Sequence, residues 1–188
     1  MTTPTDAKKP RRRQLWRWGL NLLLFVAALQ AIDWWKTRPL PSGEAPPLQG
    51  IALDGERRAL ADYRGAPLLV HFWASWCPIC RVSEGAIAAV AENHQVLTVA
   101  MQSGSDADIA AYLDAQGLDL AVIPDPDGAI AARWGVGAVP TSFVLDATGA
   151  IHSSTMGLST APGLRARLWA AAQGAPAAET LPAPAARL

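Results

Sequence analysis

Only two of the 188 residues are cysteine, three are histidine and two are tyrosine. Two thiols can build neither the disulfide framework of a small scaffold nor a four-sulfur metal site. The three histidines, His71, His94 and His152, are scattered and form no ligand cluster for zinc. Charge is also scarce, at 17%, and 16 basic side chains balance 16 acidic ones. The whole chain therefore has no net field with which to hold nucleic acid. Disorder is excluded by the opposite property, a hydrophobic fraction of 51%. A chain of this length makes one ordinary domain with extensions, and no internal repeat divides it.

The zero net charge is an average over two unlike parts. Residues 1–18 carry six basic side chains (Lys8, Lys9, Arg11, Arg12, Arg13, Arg17) against Asp6, a local net of +5, which leaves −5 on the remainder. Directly after this cluster Gly19 to Ile32 is free of charge, bracketed by Trp16 and Trp18 on one side and Trp34 and Trp35 on the other. Indole rings settle at headgroup level and Lys/Arg stay on the cytoplasmic side, so the pattern predicts a transmembrane helix over 18–35 preceded by a cytoplasmic basic tail, 1–17. The length is short against the roughly 17 to 25 residues that a span needs. A basic region before a short apolar stretch also describes a cleaved secretory signal, but no clean A-x-A-like site follows it, which favours an uncleaved anchor. An amphipathic helix lying on the surface would need a polar face that the segment lacks. Arg12-Arg13 faintly resembles a twin-arginine export signal. Each of these readings carries the rest of the chain to or across a membrane, with the domain in an oxidising compartment.

Residues 36–47 include four prolines and a glycine between Arg38 and Pro47, and read as a stiff linker. A domain is expected over 48–173, followed by an Ala/Pro-rich flexible tail, 174–188. Inside the domain, strand and helix patterns alternate. Leu68 to Trp73 is a short apolar run after Gly65-Ala66-Pro67, as in a buried strand. Cys77 to Glu92 reads as a helix with Pro78 in its first turn. Val96 to Met101 is a strand, Asp106 to Gln116 a helix closed by Gly117, and Leu120 to Ile123 a short strand before a turn at Pro124 to Gly128 and a helix to about Arg133. Ser142 to Asp146 and Ala150 to Thr155 form a hairpin, and Ala161 to Gln173 a last helix. This order implies an α/β architecture with a mixed central sheet flanked by helices.

The most informative residues are Ser75-Trp76-Cys77-Pro78-Ile79-Cys80. At a helix N-terminus the free backbone N–H groups and the macrodipole stabilise an anion, which lowers a thiol pKa from about 8.5 to between about 3.5 and 7.5. Cys77 stands there and can attack as a thiolate. Cys80 lies within one helical turn, placed to resolve a mixed disulfide. A structural disulfide and half of a metal site are the other uses of such a pair. Zinc lacks further ligands here. A thiol peroxidase would use Thr-x-x-Cys and a copper carrier CxxxC with a distant His, neither of which is present. Redox exchange by a Cys77–Cys80 pair, with no other cofactor or metal, fits best.

Phe72-Trp73-Ala74-Ser75-Trp76-Cys77-Pro78-Ile79-Cys80 resembles the active-site segment of thioredoxin-like protein disulfide oxidoreductases, and Gly135-Val136-Gly137-Ala138-Val139-Pro140-Thr141-Ser142-Phe143 resembles their cis-proline loop. The resemblance extends over about residues 48–173. The lead-in Leu60-Ala61-Asp62-Tyr63-Arg64-Gly65 is similar to the membrane-anchored periplasmic branch, whose members serve cytochrome c maturation or copper tolerance. It implies a thioredoxin-like fold after one transmembrane helix, placed in the bacterial inner membrane with the catalytic domain periplasmic. It also implies a cis Val139–Pro140 bond facing the cysteines, with the Val139 backbone pairing to an extended substrate and Trp76 on the rim. Its partners would be cysteine-containing exported proteins and a membrane electron donor of the thiol-reducing pathway. A reductase follows from the branch, although Pro78-Ile79 matches the dipeptide of neither cytoplasmic thioredoxins nor the strong periplasmic oxidant, so a disulfide oxidase and a copper-handling thiolate protein stay open.

His71 occupies the strand position where such proteins often carry a buried Asp or Asn facing the second cysteine. It is a candidate proton relay to Cys80, since imidazole titrates near neutral pH, or else a satisfied core histidine. Glu84, one turn after Cys80, is a second relay candidate whose alternative is a solvated helix face.

Overall fold

The computed structural model describes Trp16, residues 18–28, Gln30 and residues 40–174. These belong to two separate units, divided after Lys36. In the first, residues 18–28 form helix α1, with Leu22, Leu23 and Phe25 exposed. No helix among the described residues is long and apolar enough to cross a membrane. The expected span over 18–35 lies partly outside the described residues, as do nearly all of the basic tail 1–17 and the C-terminal tail beyond Gly174.

The second unit is built on a six-stranded sheet in the order β1-β8-β7-β4-β5-β6. Its strands are β1 (Gly43–Glu44), β4 (Leu68–Trp73), β5 (Gln95–Met101), β6 (Val122–Asp125), β7 (Thr141–Leu145) and β8 (Ala150–Met156). Strands β4, β5 and β6 run parallel, whereas β7 pairs antiparallel to β4 and β8 to β7. All six residues of β4 are buried because both faces of this central strand are covered. Alternation along β4 divides the core. Val70 and Phe72 face Trp134, Phe143 and Leu97 on one side. Leu69 faces the other, under α2 (Pro78–Ala91) and α5 (Ala161–Gly174), with Ile87, Val90, Leu164 and Leu168. Trp73 joins that side further along, against Ile109 and Leu113 of α3 (Asp106–Gln116).

Local chemistry explains the boundaries. Ser105 and Asp108 close a capping box at the start of α3, and Gly117 ends it in the left-handed conformation, φ 64°. The Asp125 carboxylate accepts the N–H groups of Ile130 (3.0 Å) and Ala131 (2.9 Å), which fixes the short helix α4 (Ala129–Arg133).

Two expectations need correction, and one hairpin is new. The linker reading of 36–47 fails from residue 40 onward: Leu40 is buried in the core and Gly43–Glu44 pairs with β8, so the folded unit starts before residue 48. The strand expected at Leu120–Ile123 is Val122–Asp125 and contains Pro124, tolerated because β6 is an edge strand. A hairpin absent from the sequence reading, β2 (Gln49–Ile51) with β3 (Arg57–Ala59), joins β6 through Leu53 N–H donating to the Val122 carbonyl at 3.0 Å. The short helical turn Leu60–Tyr63 follows it.

Candidate active site

Neighbouring parallel strands deliver their C-terminal ends to one edge of a sheet, where loops gather to form a site. Here β4 ends at Trp73 and β5 at Met101 on the same edge, and the cysteines follow β4. Cys77 is the N-cap of α2 and Pro78 its first residue. Cys77 and Cys80 are joined as a disulfide, with Cα atoms 5.3 Å apart. The Cys80 N–H donates to Cys77 Sγ at 3.2 Å, so the sulfur performs the capping that a Ser or Asp oxygen would otherwise perform. Cys80 is fully buried, and Cys77 is nearly so, at 5% exposed.

The loop before β7 closes over this sulfur. Cys77 Sγ lies 3.6 Å from the Val139 carbonyl oxygen, and the Val139–Pro140 peptide is cis. Thr141 Oγ1 donates to the Ala138 carbonyl at 2.7 Å, tightening the turn. Trp76 stands on the rim, 57% exposed, while its Nε1–H donates to the Gln102 carbonyl at 3.0 Å.

The loop after β5 is tied to the cysteine segment more firmly than the sequence indicated. Ser75 N–H donates to Ser103 Oγ at 3.0 Å and Ser75 Oγ to the Ser103 carbonyl at 3.4 Å. Gln102, between these contacts, has φ +48°, the one described non-glycine residue in that region. The usable signal in the sequence was topological, since loops after adjacent parallel strands must meet.

The two relay candidates, His71 on β4 and Glu84 on α2, line one buried cavity. His71 is buried; its Nδ1 hydrogen-bonds with the Ser142 hydroxyl at 2.9 Å, and Nε2 has no partner among the described residues. Burial alone pushes its pKa down from 6.5 to about 4, so the ring is neutral near pH 7. Glu84 is also buried, contrary to the solvated-face alternative, and Oε1 accepts the Tyr112 hydroxyl at 2.5 Å. Trp73, Ile87 and Leu113 line the same cavity. Tyr112 was not singled out in the sequence, and nothing local marks it, because its partner is 28 residues away. No three His, Cys, Asp and Glu side chains gather into a metal-sized group among the described residues.

The AhpC/TSA family model matches residues 41–154, more than half of the chain. The chain belongs to the AhpC/TSA family. A thioredoxin-like protein of Haemophilus influenzae is 33% identical over 159 residues, covering 84% of this chain and 95% of that protein. A thiol:disulfide interchange protein DsbE of Xylella fastidiosa is 33% identical over 117 residues, 61% of this chain and 58% of that protein. Among solved structures, the exposed lipoprotein thioredoxin Etrx1 of Streptococcus pneumoniae superposes with a TM-score of 0.59 at 29% identity, covering 66% of this chain and 98% of that one. The fold of this family member is thioredoxin-like, a mixed central sheet with flanking helices.

Proposed function

We propose that the protein is a membrane-tethered, periplasmic thiol:disulfide oxidoreductase that reduces disulfides in exported proteins through Cys77 and Cys80. The observation that carries this reading is the disulfide at the N-terminus of α2, with Cys77 Sγ 3.6 Å from the Val139 carbonyl. The relatives named for thiol:disulfide interchange support it. In the reduced protein the Cys77 thiolate, stabilised by the Cys80 N–H and the helix dipole, attacks one sulfur of a substrate disulfide. The substrate's S–S bond breaks, its other sulfur leaves with the electron pair, and a mixed disulfide on Cys77 results. Cys80 then attacks Cys77 Sγ, which forms the Cys77–Cys80 bond and releases the second substrate thiol. Val139 lies beside the reacting sulfur and would align an extended substrate backbone, with Pro140 shaping that loop and Trp76 flanking it.

A donor of two electrons must then reduce the pair again. The tether and the resemblance to the reducing branch favour a membrane electron carrier for this role, and substrates of the cytochrome c maturation or copper-tolerance type. The test is capture. A Cys80→Ser chain, expressed in cells, should accumulate substrates on Cys77 as mixed disulfides identifiable by mass, whereas Cys77→Ser should accumulate none. Equal capture by both variants, or by neither, would sink the reading.

A further inference from the structure

In the resolution step Cys80 must lose a proton before it attacks, and Cys80 is fully buried. Water cannot take that proton directly. Glu84 stands four residues along α2, the spacing that stacks two side chains on one helix face. Glu84 is 5% exposed and forms no ion pair among the described residues. An ionisable group in such a place is costly unless hydrogen bonds hold it, and the one that does comes from Tyr112 at 2.5 Å. The phenol is itself fixed. Its ring stacks on Trp73 (centroids 5.4 Å, planes 29° apart), the Arg81 guanidinium lies 6.0 Å over its centre, and Trp73 is pinned by Nε1–H donating to Thr98 Oγ1 at 3.2 Å. Burial and the Glu84 contact both push the Tyr112 pKa above its ordinary value, so the hydroxyl keeps its proton and remains the donor.

Resting on the exchange reading, we propose that Tyr112 is a positioning residue for disulfide resolution, holding the Glu84 carboxylate where it receives the Cys80 proton. The step balances. Cys80 transfers its proton to Glu84 and its sulfur attacks Cys77 Sγ; the Cys77–substrate bond breaks, and the electron pair leaves on the substrate sulfur, which is then protonated. The protein dithiol is oxidised by two electrons and the substrate disulfide is reduced by two. Tyr112 on α3 is bonded to Glu84, His71 on β4 lines the same cavity, and Arg81 on α2 lies over the Tyr112 ring; Thr98 of β5 and Ser142 of β7 add neutral hydroxyls bonded to Trp73 and His71. His71, held neutral, shares the cavity without competing for the proton near pH 7.

The test uses the reduced full-length chain in detergent and dithiobis(nitrobenzoate), an aromatic disulfide whose released thiolate absorbs visible light. Attack by Cys77 releases the first thiolate and resolution by Cys80 the second, so the two steps are read separately. Tyr112→Phe keeps the ring stack and removes the donor; Glu84→Gln keeps an acceptor and removes the proton-accepting capacity. Each variant should slow the second release on the order of tenfold near pH 7 and leave the first unchanged, and the double variant should be no slower than Glu84→Gln alone. A second release at the parental rate in Tyr112→Phe overturns the proposal, and so does an equal slowing of both releases, which would signal only a disturbed fold. If the parental chain itself releases one thiolate and never the second, the exchange reading falls, and this proposal with it.

Discussion

Burial makes the imidazole of His71 a different group from the one in water. Its pKa falls from 6.5 to about 4 because the charged form loses hydration and gains no anionic partner at Nδ1, which meets only a hydroxyl. Between those two values the unfolded chain binds a proton that the folded chain refuses. Stability contributed by the neutral ring is therefore complete above about pH 6.5 and declines as the pH drops toward 4, by about 3 kcal/mol in all. Denaturant unfolding of the oxidised protein across that window should show a steeper loss for the parental chain than for His71→Asn; identical slopes would refute the cause. That a histidine in the run Leu68 to Trp73 would be buried was legible in the sequence. Its partner Ser142 was not, because the contact joins β4 to β7 across 71 residues.

Elements with strong local signals are legible in the sequence, and those without are not. The β4 strand, α2, α3 and the β7–β8 hairpin all carry apolar runs, caps or turn residues that act locally. By contrast β2 and β3 have three residues each, with two adjacent arginines and no apolar alternation, so nothing announces them as strands. Their place is set by tertiary contact at Gly50. A Cβ there would stand 2.6 Å from Ile123 Cγ2, the methyl of a β-branched side chain buried in β6. Gly50→Ala should force the hairpin away from the sheet edge, with a stability loss of about 1 to 3 kcal/mol read from the urea midpoint. An unchanged midpoint would mean that the hairpin sits on β6 more loosely than the Leu53–Val122 hydrogen bond implies. The same reasoning explains the site. The cysteines and the proline loop each carry their own pattern, whereas the Ser75–Ser103 tie and the Glu84–Tyr112 bond exist only once α2, β5 and α3 have been assembled.

At the scale of the molecule, composition misjudged where the domain begins. Four prolines argued for a linker, but proline excludes only interior strand and helix positions, and a two-residue edge strand escapes that rule. A chain started at Leu48 would lack β1 and the buried Leu40, and should unfold about 2 to 4 kcal/mol more easily than one started at Thr37. Matching urea midpoints for the two would restore the linker reading.

Cys77 Sγ is both the capping group of α2 and the atom proposed to react, and this joins folding to electron transfer. Whatever the cap contributes differs between thiolate and disulfide. The oxidised and reduced chains therefore differ in stability, and by the closed cycle of folding and reduction that difference equals the gap between the potentials of the folded pair and the same pair unfolded. A folded pair more reducing than the same pair unfolded is accordingly sturdier when oxidised. Every substitution that strengthens the thiolate cap at α2 then moves the protein toward oxidising chemistry, without touching any surface that a substrate sees.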